Sequence, residues 1–401
     1  MSKKVLLIAP ACDGEDVGEA WVAAQWAQRL AKSDELTLLT MYKRGHTPMS
    51  RQLPGARVIE WAEPPGVGRF ERFNSLLFPG YWPFHRLARR WIRRALAAGE
   101  HFDVAHQVAP IAMRYPSPAA GLGIPFIMGP VGGSLTSPPG FASEEGATSW
   151  YQRLRALDSW RMRNDRWLRR TYESADVVVG VADYVRDFLA DVRLRRFEVM
   201  SETAVIEVPE PVDRTARTGP IRLLHVGRTV RTKGLRDVIR AMDAIRDLDV
   251  VLDVLGDGND RPACEALIAQ LGLGERITLH GAVPRATVDD FYRNADVFVF
   301  PSYREPGGNV SLEAMSWGLP VIVCRVGGPG ANVNDDSGIR LDARDPDQLA
   351  ADCAAALRLL ISNRARRLAM GEAGREHVLR SHQWSHRVAQ MDRIYEEIMV
   401  R

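Results

Sequence analysis

The stretch DVFVFPSYREPGGNVSLEAMSWGLPVIVC, residues 296–324, contains a complete strand–loop–helix–strand unit. An apolar run ends at Pro301, which cannot continue a central strand, and Gly307 and Gly308 form a turn before a helix predicted over 309–317. A second apolar run, residues 320–324, follows at once. Short apolar runs separated by a helix are typical of parallel strands buried on both faces. This stretch therefore predicts an α/β fold.

The same alternation runs along the whole chain, and about ten strands suit two sheets better than one. We therefore predict two Rossmann-like, doubly wound domains that face one another across a cleft. Strands are predicted at 5–9, 36–40, 103–108, 125–129, 176–181, 221–227, 250–256, 276–281, 296–302 and 320–324, and the main helices at 18–32, 84–98, 149–173, 183–191, 234–246, 260–271, 286–294, 309–317 and 346–361.

The domain boundary is predicted near PEPVDRTARTGP, residues 209–220, which is rich in Pro, Thr and Arg and has no hydrophobic periodicity. We place the first domain at residues 1–213 and the second at 214–378. In open parallel sheets, ligands bind beyond the carboxyl ends of the strands. Candidate functional residues should therefore follow the strands directly.

Composition excludes several classes of protein. The 401 residues are 46% hydrophobic with a net charge of +3, so global charge gives no support to a nucleic-acid partner. The four cysteines are scattered without metal-ligand spacing, as expected for reduced thiols in a cytoplasmic protein. No apolar stretch approaches the roughly 18 residues of a membrane span.

The predicted strand at 221–227 is followed by the loop GRTVRTKG, residues 227–234. Gly227 allows close backbone approach, and Arg228 and Lys233 flank the loop just before a helix. A glycine turn with cations at a helix N-terminus suits a phosphate or diphosphate. A solvated basic loop without function is the alternative.

Two carboxylates flank the glycine turn of the opening stretch. Glu305 lies in the loop, and Glu313 lies about one turn into the helix. Both can face the predicted cleft, with the free N–H groups of the helix start between them. An ordinary exposed helix glutamate is the alternative for Glu313, but the position after a strand favours a functional pair.

A possible metal site, the DxD at Asp345–Asp347, has a simpler interpretation. An Asp followed by Pro346 is typical of a helix N-cap and first helical position. We therefore predict no metal site.

In order and spacing, these motifs resemble the family 4 retaining glycosyltransferases, which have the GT-B fold. GRTVRTKG, LGDG, LHGAVPR, ADVFVFPS, EPGGNVSLEAMSWGLPVIV and VGGPG carry the resemblance in the second half, and DVAHQV and GPVGGS carry a looser one in the first. The resemblance also implies that residues 379–401 form a closing helix that packs back on the first domain.

The resemblance implies a role for each matching residue. Arg228 and Lys233 would hold the donor diphosphate, Glu305 the donor sugar and Glu313 the ribose. His106 would lie near the reacting sugar, and Arg228, Lys233, Glu305 and His106 form the expected catalytic set. The expected donor-binding residues are Gly14, Gly18, Gly227, Gly281, Ala282, Val283, Gly307, Gly308, Asn309 and Glu313.

Three departures from the family pattern bear on these roles. The family often has a second histidine two positions after the first, and this position is Val108. His106 is therefore either functional or a buried strand histidine. Pro306 stands where the family more often has Gly or Phe. The two glycines of the first loop, which are usually adjacent, are separated here in the sequence DGEDVGEA.

Two stretches, residues 69–94 and 149–170, mix arginine with aromatic residues. Such a mixture occurs at nucleic-acid sites and at membrane interfaces. In the acceptor-binding domain of a glycosyltransferase, the membrane interpretation fits better. The alternative is a pair of helices with core tryptophans and solvated arginines. We expect a cytoplasmic protein with peripheral contact to the inner face of the cell membrane.

These expectations combine into one functional hypothesis. The chain is a metal-independent retaining hexosyltransferase that moves a sugar from a nucleotide-diphosphate sugar of the UDP or GDP type, needs no cofactor, and acts on a glycan or lipid-linked acceptor in bacterial surface polysaccharide biosynthesis. A nucleotide-sugar 2-epimerase of the same fold is the main alternative. A non-catalytic nucleotide-sugar binder and a nucleic-acid binder fit less well.

Overall fold

The computed structural model describes residues 2–16, 18–64, 80–145 and 157–400. By contact, the chain divides into two compact units. The first consists of Met1–Ser134, Thr148–Glu202 and Val388–Arg401, and the second of Leu135–Ala147 and Thr203–Arg387.

The first unit is built on a parallel sheet. Its strands are β1 (Lys4–Ala11), β2 (Glu35–Tyr42), β3 (Arg57–Ala62), β4 (Val104–Gln107), β5 (Phe126–Val131), β6 (Val177–Gly180) and β7 (Phe197–Val199). The strand order is β3-β2-β1-β4-β5-β6-β7. The described helices of this unit, apart from the last helix of the chain, are α1 (Glu19–Leu30), α2 (Met49–Gln52), α3 (Tyr81–Ala97), α4 (Leu157–Asn164), α5 (Arg166–Ser174) and α6 (Tyr184–Phe188).

The second unit repeats this plan. Its strands are β8 (Ile221–Val226), β9 (Val250–Leu255), β10 (Ile277–Gly281), β11 (Val297–Phe300), β12 (Val321–Cys324) and β13 (Gly338–Leu341), in the order β10-β9-β8-β11-β12-β13. Its described helices are α7 (Leu235–Ala244), α8 (Arg261–Leu271), α9 (Arg285–Asn294), α10 (Asn309–Ser316), α11 (Gly327–Asn332), α12 (Pro346–Ser362) and α13 (Arg364–Ser381). The chain closes with α14 (Trp384–Met399).

Both sheets change winding direction between their first strand and the fourth strand in chain order. This reversal lies between β1 and β4 in the first unit and between β8 and β11 in the second. Helices consequently cover both faces, and β11, at the reversal of the second sheet, is buried along its length. From the reversal the chain runs from β8 to β9 on one side and from β11 to β12 on the other, and this is where doubly wound sheets bind ligands.

The predicted α/β class is confirmed, and all ten predicted strands are present. The sequence missed β3, β7 and β13, and each of these is an edge strand. An edge strand lacks the continuous apolar run of a central strand because one side is open to solvent. β3, for example, is half-buried along most of its length.

The single helix predicted over 149–173 is wrong in its described part. Residues 149–156 lie outside the described residues, and the remainder is divided into α4 and α5 at Asp165. The Asp165 carboxylate accepts hydrogen bonds from Trp167 N (3.0 Å) and Leu168 N (3.2 Å). It thus caps a new helix at a position that the apolar and arginine pattern does not reveal.

The division by contact differs in detail from the predicted ranges 1–213, 214–378 and 379–401. Residues 135–147 cluster with the second unit, and α14 is shared, because its residues up to 387 belong to the second unit and the rest to the first. No helix in the described part of the chain is both long enough and apolar enough to cross a membrane.

Candidate active site

The candidate site lies at the carboxyl edge of the second sheet, where the loops after β8 and β11 meet. The first loop, residues 227–234, leads into α7, and the second, residues 301–308, leads into α10. The Ser302 hydroxyl donates to the Thr232 carbonyl oxygen at 3.0 Å. The two loops therefore form one continuous polar surface at the reversal point.

Lys233 and Glu305 form an ion pair in this surface. The Lys233 ammonium is buried, lies 5.7 Å from the centroid of the Phe300 ring and donates directly to Glu305 Oε2. Glu305 Oε1 lies 3.3 Å from Gly307 N and 3.4 Å from Gly308 N. The structure thus brings together two predicted side chains and two predicted backbone donors.

Two glycines are required by this geometry. Gly234 has φ +79°, and a Cβ at this position would lie 2.3 Å from the Pro301 carbonyl oxygen. Gly308 has φ +72°, and its Cβ would lie 2.7 Å from the Pro329 ring. A side chain at Gly234 would separate the two loops, and one at Gly308 would push the second loop away from α11, because both the backbone conformation and the space exclude it.

Glu313 is held from two sides on α10. Its Oε1 accepts from Arg285 Nη2 at 2.8 Å, and its Oε2 accepts from Tyr292 Oη at 3.1 Å. Burial, together with the charge of Glu313, raises the pKa of the Tyr292 hydroxyl. Arg285 ends the LHGAVPR motif, but no role for it was predicted from the sequence.

The other predicted donor-binding residues of this unit follow strands at the same edge of the sheet. Gly227 and Arg228 follow β8, and the exposed Arg228 side chain makes no hydrogen bond or ion pair with another described residue. Gly281, Ala282 and Val283 lie at and after the end of β10. Asn309 begins α10, and its buried Oδ1 has no hydrogen-bond partner among the described residues.

The predicted residues of the first unit are described separately. Gly14 follows β1 and donates its N–H to Gln52 Oε1 at 2.7 Å, and Gly18 precedes α1 with φ +67°. Both lie beyond the strand at the reversal of their sheet, as the sequence predicts. Their approach to a donor stays a prediction.

His106 on β4 is completely buried and has both ring nitrogens engaged. Its Nδ1 lies 2.7 Å from the Tyr395 hydroxyl and its Nε2 lies 2.5 Å from the Gly129 carbonyl oxygen. Burial lowers the pKa of this imidazole to about 4. The structure therefore favours the buried strand histidine over the catalytic interpretation.

Sequence reasoning missed Arg231, which lies inside the 227–234 loop. Its guanidinium binds Asp237 at 2.6 and 2.9 Å and Glu144 at 2.8 Å. The sequence does contain a signal for Arg231, because it is a third cation between Arg228 and Lys233 in the same short loop. It contains none for the partner Glu144, because no pattern links residues 87 positions apart.

The Asp345–Asp347 pair caps a helix, as predicted. Asp345 Oδ1 accepts from Gln348 N at 2.8 Å, and Pro346 is the first residue of α12. Within the described residues, no group of three or more His, Cys, Asp or Glu side chains is arranged to hold a metal ion.

Two protein families match successive parts of the chain. Residues 18–201 match the family described as "Glycosyltransferase Family 4", and residues 210–377 match that described as "Glycosyl transferases group 1". The second match contains every candidate residue of the site at the β8–β11 reversal.

Among curated relatives, a D-inositol 3-phosphate glycosyltransferase from Xylanimonas cellulosilytica is 35% identical over 238 residues, which cover 55% of each chain. A second protein of this name, from Corynebacterium urealyticum, is 34% identical over 251 residues, which cover 56% of this chain and 58% of the relative. The chain thus spans little more than half the length of these relatives.

The fold is shared with solved structures of low sequence identity. Sucrose-phosphate synthase from Thermosynechococcus elongatus aligns over 99% of both chains with a TM-score of 0.68 and 20% identity. Anabaena HepE, solved in complex with UDP and glucose, aligns over 98% of this chain and 99% of its own with a TM-score of 0.62 and 14% identity. These neighbours confirm the predicted GT-B fold.

Proposed function

The chain belongs to the family 4 glycosyltransferases, and from this premise we propose that it transfers a hexosyl group from a nucleotide-diphosphate sugar of the UDP or GDP type to a glycan or lipid-linked acceptor. The observation that carries this proposal is the Lys233–Glu305 pair at the β8–β11 reversal. Arg228 lies in the same loop as Lys233, and its guanidinium has no partner among the described residues. The named relatives are transferases, so the epimerase alternative is not carried forward.

The charges of the site suit a departing diphosphate. Cleavage of the sugar–phosphate bond builds negative charge on the leaving group, and fixed cations stabilise this charge most in the transition state. We assign that role to Lys233 and Arg228, with the N–H groups of Gly307 and Gly308 as further donors. When the diphosphate binds, Lys233 exchanges Glu305 for phosphate, and Glu305 turns to the sugar hydroxyls.

We further propose that the reaction retains anomeric configuration and needs no metal. Both carboxylates of the site are engaged, Glu305 by Lys233 and Glu313 by Arg285 and Tyr292. Neither is poised as a free base. Transfer on one face of the sugar, with the leaving phosphate accepting the acceptor proton, requires no such base, and the two cations supply the charge that a metal would otherwise provide.

The donor site is tested by thermal unfolding with UDP, GDP, ADP and dTDP and with their sugar conjugates. A ligand present at 100 times its Kd stabilises the folded state by about 2.7 kcal/mol, which a melting curve resolves. We expect one nucleotide to stabilise the wild type and to lose this effect in Glu313→Ala.

The matched control is Glu376→Ala, which removes an exposed helix glutamate that faces Arg380 at 3.6 Å on α13. This variant should keep the full nucleotide shift. A folded wild type that responds to none of the nucleotides would contradict the donor site and the transferase proposal together.

For the acceptor, we propose a lipid-linked molecule at an anionic membrane, as in surface polysaccharide assembly. The first unit presents a basic aromatic patch, which we define as Trp82, Arg86, Leu87 and Arg90 of α3 with Trp160, Arg166, Trp167 and Arg170 of α4 and α5. Every member is exposed to solvent.

The two halves of the basic aromatic patch lie side by side. The His85 ring lies 6.2 Å from that of Trp82 and 6.4 Å from that of Trp167, measured between centroids. Burial lowers the pKa of the neighbouring Arg89, and the charges of Arg170 and Arg93 lower it further. Exposed tryptophans beside clustered, mutually repelling cations suit an anionic lipid surface.

The curated relatives are named for D-inositol 3-phosphate. Because these alignments cover about half of each chain, we carry over only the transferase class. The identity of the donor sugar is left to the nucleotide screen.

A further inference from the structure

Residues 135–145 form a segment, here called the strap, that belongs by contact to the second unit although the chain on either side belongs to the first. The strap contains a single 3₁₀ turn, Pro139–Phe141. The Phe141 side chain is fully buried in the core of the second unit and stacks on Tyr303, with ring centroids 4.0 Å apart. The strap is therefore an integral part of the second unit.

An ion network ties the strap to the loop after β8. Glu144 Oε2 accepts from Arg231 Nε at 2.8 Å, and Glu144 Oε1 accepts from Arg240 Nη2 at 2.5 Å. Burial alone would raise the pKa of the Glu144 carboxyl, but the hydrogen bonds and charges of Arg240 and Arg231 outweigh burial and lower it.

Arg231 is fixed on every side. Its two terminal nitrogens bind Asp237 at 2.6 and 2.9 Å, and its guanidinium lies 5.2 Å from the Phe141 ring and 5.5 Å from the Tyr303 ring. An arginine fork bound in this way is held in one orientation, since Nε and both terminal nitrogens each donate to a carboxylate. Glu144 and Phe141 supply the part of this cage that comes from the strap.

The strap contacts both loops that carry the Lys233–Glu305 pair. Glu144 binds Arg231, two residues before Lys233, and Phe141 packs on Tyr303, two residues before Glu305. Arg231 begins the 3₁₀ turn Arg231–Lys233, so the two residues belong to the same short turn of backbone. Neither Glu144 nor Phe141 contacts Lys233 or Glu305 directly.

From this arrangement we propose that the strap is a positioning element for the diphosphate-binding loop, with Glu144 acting through Arg231 on Lys233. The inference rests on the proposed function, because it assumes that Lys233 binds the donor diphosphate. It adds that the affinity of the second unit for the diphosphate depends on a segment that lies 87 residues away from Arg231 in the sequence.

The competing interpretation is that the network only stabilises the fold. A purely structural contact would weaken all ligands alike, through a lower folded fraction. A positioning contact should act on the phosphates and spare the base and ribose, which the family resemblance assigns to Gly281 and Glu313. The two interpretations therefore differ in which part of a nucleotide loses affinity.

The test uses the full chain, the nucleoside diphosphate that stabilises the wild type in the nucleotide screen, and the monophosphate of the same base. In Glu144→Gln we expect the Kd of the diphosphate to rise about tenfold, as is typical when a residue that orients a ligand-binding group is changed. The Kd of the monophosphate should stay unchanged. Calorimetry at a temperature well below the melting point measures both.

The matched control is Asp247→Asn, which removes a carboxylate bound by two guanidinium nitrogens of Arg358 (2.6 and 2.8 Å) on the exposed surface of the same unit. It should alter neither Kd. Glu144→Asp keeps the charge but shortens the side chain, so it should raise the Kd of the diphosphate by less than Glu144→Gln does and leave that of the monophosphate unchanged. This variant replaces Glu144→Gln in the test if Glu144→Gln does not fold.

Equal weakening of diphosphate and monophosphate in a folded Glu144 variant, or no weakening of either, would overturn the positioning role while leaving the donor site intact. A wild type that binds no nucleotide would instead remove the proposed function, and this inference would fall with it.

Discussion

The Lys233 ammonium donates directly to the Glu305 carboxylate across the reversal point of the second sheet. Both side chains are largely removed from water, with 8% and 21% of their surfaces exposed. A cation and an anion in such a place compensate one another until a ligand replaces one of them. The pair thus accounts for a charged site that is stable without substrate and able to receive a diphosphate.

Lys233→Ala should lower kcat/KM by roughly 10- to 150-fold, because a charge-assisted contact contributes roughly 1.5–3 kcal/mol and 1.36 kcal/mol is a factor of about ten. The loss should appear mainly in kcat, since the charge on the leaving phosphate is greatest in the transition state. Initial rates with the identified donor measure it. Lys32→Ala, on an exposed turn of the first unit, is the control, and wild-type turnover in Lys233→Ala would remove this residue from the mechanism.

Glu305→Gln should have opposite effects on product binding and on transfer. Without the carboxylate, Lys233 is free for phosphate, and the Kd of the free nucleoside diphosphate should fall roughly fivefold, a gain of about 1 kcal/mol. Transfer should slow about tenfold or more, because the hydrogen bond that a sugar hydroxyl donates to the charged carboxylate is replaced by a weaker one to a neutral amide. Calorimetry and initial rates separate the two effects, with Glu376→Gln as the control.

A lower affinity of Glu305→Gln for the diphosphate would show that Glu305 holds the phosphate loop in place rather than competing with phosphate for Lys233. That result would contradict the exchange of partners proposed for Lys233.

The site of the second unit was predictable because strand ends in a parallel sheet meet at one edge. Lys233 and Glu305 each follow a clear apolar strand, so the sequence indicates their proximity, and the structure adds only their direct contact. The partners of Arg231 and Glu313 were not predictable in the same way. Glu144 lies in an aperiodic segment, and its contact with Arg231 depends on how that segment packs.

His106 shows a second limit of sequence reasoning. Its place on a buried strand was predicted, but whether it faces a ligand depends on what covers the strand. The covering residue is Tyr395, which lies 289 positions later on α14. No local pattern carries this information, and the resemblance alone left both interpretations open.

His106→Gln should remove part of the pH dependence of stability and leave catalysis intact. The pKa of His106 is lowered to about 4 by burial, so unfolding releases an imidazole that takes up a proton below its ordinary pKa near 6.5. The free energy of unfolding therefore falls as the pH drops from about 6.5 toward 4, and the contribution of one such group between pH 7 and pH 5 is about 2 kcal/mol. Denaturant titrations at both pH values measure it.

His101→Gln is the control, because 76% of that side chain is exposed. The folded His106→Gln variant should transfer sugar at the wild-type rate at pH 7. A folded variant that has lost transfer would restore the catalytic interpretation of His106.

The basic aromatic patch should bind anionic vesicles in a salt-dependent way. Each arginine near such a surface contributes about 1 kcal/mol, so the double variant Arg90→Gln, Arg166→Gln should bind roughly 30-fold more weakly. Co-sedimentation with vesicles of phosphatidylglycerol and phosphatidylcholine measures this, and high salt should abolish binding of the wild type because it screens the charges.

Two further variants test whether vesicle binding depends on the basic aromatic patch or only on the number of positive charges on the protein. Arg246→Gln, Arg358→Gln removes the same charge from the exposed surface of the second unit, where the side chains are 61% and 46% exposed, and it should keep wild-type vesicle binding. Trp160→Ala removes an indole that is 62% exposed and should weaken binding without changing its salt dependence, since the ring inserts among the headgroups and carries no charge. If the wild type does not bind anionic vesicles, the membrane proposal is wrong. The exposed side chains of α3, α4 and α5 would then be ordinary solvated surface, and a soluble glycan would be the expected acceptor.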